Sequence, residues 1–64
     1  MDEMTNQDWY NQYFGSHDNR DRFPSFETID ELEKAISTIA TENEWIDDLE
    51  NVNSIAVAIW EYLD

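Results

Sequence analysis

Glu42 to Asn51 reads ENEWIDDLEN and holds five carboxylates in ten residues: Glu42, Glu44, Asp47, Asp48 and Glu50. Grouped carboxylates can transfer protons, ligate cations or present fixed negative charge. Proton transfer needs a low-dielectric cleft that drives two pKa values apart, and 64 residues leave little material for one. A pair such as Asp47 and Asp48, with no histidine nearby and no liganding loop, would collect divalent ions only weakly. Presenting charge needs only a helix. Residues three or four apart on a helix sit about 5–6 Å from each other, close to the spacing of successive phosphates, which rise about 3.4 Å per strand along duplex DNA.

Other catalytic chemistry is poorly supplied. His17 is the only histidine, no serine lies in a glycine-flanked elbow, and a single glycine cannot build a phosphate-binding loop. With no cysteine, thiolate nucleophiles, disulfides and thiolate metal sites are all absent. The segment SHDNRDRFPSFE places Arg20 at a would-be calcium ligand and lacks the central glycine, so it is no calcium loop. The expectation is a chain that is not an enzyme and has neither metal nor cofactor.

Projected at 100° per residue, Trp45, Ile46, Leu49 and Val52 fall on one side of a helix. Glu44, Asp47 and Asp48 fall on the other, with Glu50 on the flank. Glu44, Asp47, Asp48 and Asn51 would form one row, and Asp30 with Glu33 a second on a neighbouring helix. Glu31 and Glu42 complete the eight acidic residues expected to contact a partner.

Sixteen Asp and Glu against three Lys and Arg give a net charge of −13, whereas solubility of a small domain needs about 2–8. Such self-repulsion opposes compaction, and the excess points to a negative surface that serves binding. Nucleic acid and anionic membranes are disfavoured as partners; a basic protein is favoured. The start, MDEMTNQDW, has neither the basic region nor the apolar core of a signal peptide. No apolar run approaches the roughly 20 residues that cross a bilayer. A cytoplasmic protein is expected, in a bacterial cytosol if the target is a bacterial one.

At 41% hydrophobic with nine aromatic residues, the chain is too apolar for disorder. It reads as a single all-α domain of three or four short helices spanning residues 1–64, with association into a homodimer left open. Residues 1–4 read as a loose acidic end. Thr5 and Asp8 resemble a capping box, and Trp9, Tyr10, Tyr13 and Phe14 make a helical stripe ended by Gly15, predicting a helix over Asn6 to Phe14. Residues 15–27 read as a loop whose Arg20 and Arg22 pair with nearby carboxylates and whose Phe23 and Phe26 turn inward. Thr28-Ile29-Asp30-Glu31 is a capping box that opens a second helix to about Ala40, and a third starts at Glu42 behind a Thr41–Glu44 capping box or continues the second after a kink. Asn51 to Ser54 reads as a break. Ile55 to Leu63 has helical spacing, yet IAVAIW also fits a buried strand. The expected core is Trp9, Tyr13, Phe14, Ile29, Leu32, Ile36, Ile39, Trp45, Leu49, Ile55, Ile59, Trp60 and Leu63.

Phe26-Glu27-Thr28-Ile29-Asp30-Glu31-Leu32 resembles the aromatic-x-Ser/Thr-Ile-x-Glu-Leu helix start of ArdA antirestriction proteins, over seven residues of the 64. More broadly, the chain looks like the small, cysteine-free, acidic DNA-mimic inhibitors of phages and mobile elements. That resemblance implies a type of target: a bacterial DNA-binding protein of restriction, CRISPR, nucleoid, repair or transcription systems. The expected function is noncatalytic inhibition through an acidic, DNA-like face. The alternative is an interaction module docking through exposed aromatic and apolar surface, such as Tyr10 and Tyr62, on a polymerase subunit, an adaptor or a second copy. A third reading makes the chain a piece that completes a larger complex.

Overall fold

A computed structural model describes residues 4 to 63; of the expected loose end, residues 1 to 3 lie outside the described residues and Met4 is exposed. Among the described residues the chain is all-helical, with α1 at Asn6–Phe14, α2 at His17–Arg22, α3 at Ile29–Asn43, α4 at Ile46–Leu49 and α5 at Val52–Leu63. The strand alternative for residues 55–63 is thereby corrected to helix: Ile55 and Ile59, four apart, are buried together with Ala56.

α1 begins at a full capping box: the Thr5 hydroxyl accepts from the Asp8 N–H and the Asp8 carboxylate accepts from the Thr5 N–H. It ends at Gly15, which works differently from the left-handed stop expected of it. Its backbone is right-handed (φ −77°), but a Cβ there would come within 2.3 Å of the Asn11 carbonyl oxygen, which accepts its N–H. Glycine is needed for close approach.

The expected loop over 15–27 holds a helix of six residues, α2. Ser16 caps it through Asn19, Asp18 sits in the first turn, and Arg20 and Arg22 sit in the last, the charge order that suits the helix dipole. α2 carries no buried residue, which is why hydrophobic periodicity gave no sign of it. Arg22 pairs with Glu42 on α3, both guanidinium nitrogens lying 2.8 Å from its carboxylate oxygens, and not with an acid of its own segment.

Thr28 caps α3 by accepting from the Glu31 N–H, but among the described residues the reciprocal bond from the Thr28 N–H to the Glu31 carboxylate is absent, so half of the expected capping box forms. Leu32, Ala35, Ile36, Ile39 and Ala40 bury one face of it against α5. α1 packs against the end of α5, where Asn6 hydrogen-bonds Glu61 and the Tyr10 and Tyr62 rings lie 5.1 Å apart. Tyr13, Phe14, Leu32, Ile36, Ile39, Ile55 and Ile59 form the core with Ala35, Ala40 and Ala56, each large aliphatic or aromatic side chain contributing about 1.5–3 kcal/mol of transfer free energy. Trp9, Ile29, Trp45, Leu49 and Trp60 pack around it half-buried. Leu63, expected inside, is 43% exposed in the last turn of α5.

Candidate functional site at the acidic corner

The decisive departure from the expected continuous acidic helix lies at Glu44. α3 runs on through Thr41 and Glu42 to Asn43, so the Thr41–Glu44 capping box does not form. Glu44 then turns left-handed, with φ 61° and ψ 34°. Its N–H donates to the Thr41 carbonyl at 3.2 Å, and the Trp45 N–H reaches back to the Ala40 carbonyl at 2.9 Å. That pair of bonds is a Schellman motif, and Trp45, the residue that follows the left-handed turn, packs against the core. A glycine would ordinarily occupy the position of Glu44.

The reversal redistributes the side chains. Trp45, Leu49 and Val52 stay against the core, but Ile46, expected beside them, is thrown outward and 67% exposed. α4 is a single turn with no side-chain cap at its start. Asn51 closes its other end by donating its amide to the Asp47 carbonyl at 2.9 Å, and so contributes structure and not a member of an acidic row.

α4 is tied to the bundle through Asp48. The buried Tyr13 hydroxyl donates to its Oδ2 at 2.7 Å, Gln12 donates to the same atom at 3.2 Å, and the Tyr13 ring meets Trp45 edge-on at 5.3 Å. Burial holds the Tyr13 phenol well above the ordinary tyrosine range, reinforced by the hydrogen bond and then by the charge of Asp48. On α3, the Arg22 guanidinium bonded to Glu42 holds that carboxyl below its ordinary range.

The eight expected contact residues therefore fall into two groups. Glu44, Asp47 and Asp48 line one open cleft with Gln12, Trp45 and Ile46, about 470 Å³ in volume. Glu42 and Glu50 flank that stretch in sequence, Glu42 committed to Arg22. Among the described residues, no side-chain hydrogen bond or salt bridge engages the carboxylates of Glu44, Asp47 or Glu50. Asp30, Glu31 and Glu33 belong to the opposite end of α3; Asp30 and Glu42 are about 18 Å apart along its axis at 1.5 Å per residue. Glu33 there accepts a hydrogen bond from Asn53 at the start of α5. A straight row of Glu44, Asp47 and Asp48 on one helix is replaced by a corner, because the left-handed turn separates Glu44 from α4.

Gln12 and Tyr13 belong to the site and were not read as such from the sequence. Their contacts with Asp48 span 36 and 35 residues. The aromatic stripe of α1 signals that Tyr13 is buried, and nothing local names its partner.

Among the described residues, no group of three or more His, Asp or Glu side chains is placed to hold a metal ion, and no helix is long and apolar enough to cross a membrane. Comparison with protein-family models, with curated proteins and with solved structures returns no match.

Proposed function

We propose that the chain is a noncatalytic inhibitor that binds a basic, nucleic-acid-binding protein by offering carboxylates where the partner ordinarily holds DNA phosphates. The observation that carries this reading is the corner itself: Glu44, Asp47 and Glu50 stand exposed and uncompensated within seven residues, in a chain of net charge −13. Asp48, fixed by Tyr13 and Gln12, keeps the turn that bears them from drifting. Paired charges such as Glu42 with Arg22 would add little, so the main contacts are Glu44, Asp47, Asp48 and Glu50, with Asp30, Glu31 and Glu33 as a separate anionic patch. The short likeness to ArdA proteins at Phe26 to Leu32 and the acidity together favour a bacterial target and a phage or mobile-element origin. Attraction of this kind forms fast and weakens steeply with salt.

The experiment is capture from a bacterial lysate on the immobilised chain, with one elution by duplex DNA and one by salt. Release of a DNA-binding protein by duplex DNA supports the reading. A partner that ignores DNA and survives high salt sinks it.

One observation favours the second reading, docking through apolar surface. Tyr62 and Leu63 are 42% and 43% exposed at the end of α5, next to Tyr10, and Val57 is 39% exposed on the same helix. A partner held there would tolerate salt and be lost on Tyr62→Ala.

A further inference from the structure

The few positive charges of this acidic chain gather in one place. Its three basic residues line two clefts on either side of the Phe23 to Phe26 segment, Arg20 in one and Arg22 with Lys34 in the other. The second cleft is compensated from within: Glu42 engages Arg22, and Glu31 shares the lining. The first has no acidic side chain in its lining and a volume of about 290 Å³. Its walls are aromatic. Phe14, which is buried, meets Phe26 at 5.4 Å and Phe23 at 6.4 Å, both steeply tilted to it, and Tyr10 at 5.8 Å. Leu63, 43% exposed, adds an aliphatic edge. Among the described residues no side-chain hydrogen bond or salt bridge engages the Arg20 guanidinium. An uncompensated cation beside an apolar cleft calls, by charge complementarity, for an anion with an apolar body.

We propose that this cleft binds a small aromatic carboxylate, its ring among the phenylalanines and its anion on Arg20. The volume lies just under the range of about 300–1,000 Å³ typical of ligand sites, room for a single ring with a short acid tail. Such a ring gains edge-to-face contact with rings already tilted against one another. The guanidinium offers a fork of donors that matches a carboxylate. A neutral analogue leaves Arg20 unused, and a cationic one meets its charge. The net charge of −13 repels anions at long range, so Arg20 is what admits one here. No residue of this lining belongs to the acidic corner. The inference therefore goes beyond the proposed function, and neither outcome of the capture experiment bears on it.

The test titrates the intact chain at about 0.1 M salt, where the screening length is about 10 Å. The probes are 3-phenylpropionate, its neutral amide and 3-phenylpropylamine. NMR follows the Leu63 methyls and the Phe23 and Phe26 rings, with the Ile46 methyls at the acidic corner as a remote reference. The expected result is saturable shifts at the three cleft residues and little change at Ile46, with a Kd for the acid of about 1–10 mM, as a ligand of this size allows. The amide should bind about threefold or more weaker, and the amine should not saturate. Arg20→Gln alters an exposed side chain, so the fold persists, and it should bring the acid down to the affinity of the amide. Arg20→Lys, which keeps the charge, should restore part of the preference. Equal binding of acid and amide overturns the proposal, as do acid binding that Arg20→Gln leaves unchanged, shifts as large at Ile46, or no saturable binding.

Discussion

Single residues decide the shape of the acidic corner. Glu44 holds a left-handed backbone that costs a side-chain-bearing residue about 1–3 kcal/mol. Glu44→Gly should therefore raise stability by about 1 kcal/mol, read as a higher urea midpoint at unchanged slope, while weakening any partner that uses the carboxylate. A lower midpoint would show that the turn is unstrained. Tyr13→Phe keeps the buried ring and removes the donor to Asp48, which should cost about 1.5–3 kcal/mol, the range for a hydrogen bond to a charged group. The pH dependence has a definite sign. The Tyr13 phenol titrates higher in the folded chain than in the unfolded one, so its contribution is complete below the ordinary value near 10 and is lost as pH rises beyond it. Equilibrium unfolding from pH 8 to 11 should show an alkaline loss of stability that Tyr13→Phe reduces. An equal loss in both proteins would exclude Tyr13 as its source.

At the scale of elements, α2 has no buried residue, so the Arg22–Glu42 pair is its clearest polar tie to α3. The carboxyl of Glu42 titrates lower in the folded state, so the pair stabilises above the ordinary glutamate range and its contribution fades as pH falls through the lowered one. The protection factors of the α2 amides, which divide out the slower intrinsic exchange at low pH, should fall on acidification, and Glu42→Gln should give that lower protection already at pH 7. Exchange that Glu42→Gln leaves unchanged would show that the pair does not hold α2. The same elements show what the sequence makes legible. α1, with its full capping box at Thr5, appears where the sequence predicts it, and α3, capped by Thr28 and striped with buried side chains, starts where predicted but runs three residues past Ala40 to Asn43. α2 escapes periodicity, because a helix of six residues with no buried face has none to display, whereas α4 reads from the sequence as part of a longer helix of which a single turn forms. The outward turn of Ile46 was illegible for another reason. It depends on a left-handed residue where the chain offers glutamate in place of glycine, so Trp45-Ile46-Leu49 reads as a continued helix until Ala40 and Trp45 are seen paired.

At the scale of the whole molecule, one core must hold together a chain of net charge −13. Repulsion among exposed carboxylates opposes the fold and is screened by salt, the screening length falling from about 30 Å at 0.01 M to about 10 Å at 0.1 M. The melting temperature should rise across that interval. A flat or falling profile would mean that local pairs such as Arg22–Glu42 outweigh the repulsion. The charge also limits how the corner can be tested. Asp48 is a poor site for reversal because Tyr13 and Gln12 depend on it, whereas Glu44 and Asp47 engage no other side chain among the described residues. The central claim is that the corner competes with DNA for its partner, and the double reversal Glu44→Lys, Asp47→Lys addresses it most directly. The measurement is displacement of labelled duplex DNA from the captured partner by increasing amounts of each chain at fixed moderate salt. The account predicts that the original chain displaces the DNA and that the reversed chain, still folded by its melting curve, does not. Equal displacement by both, or DNA and chain bound together, would contradict it.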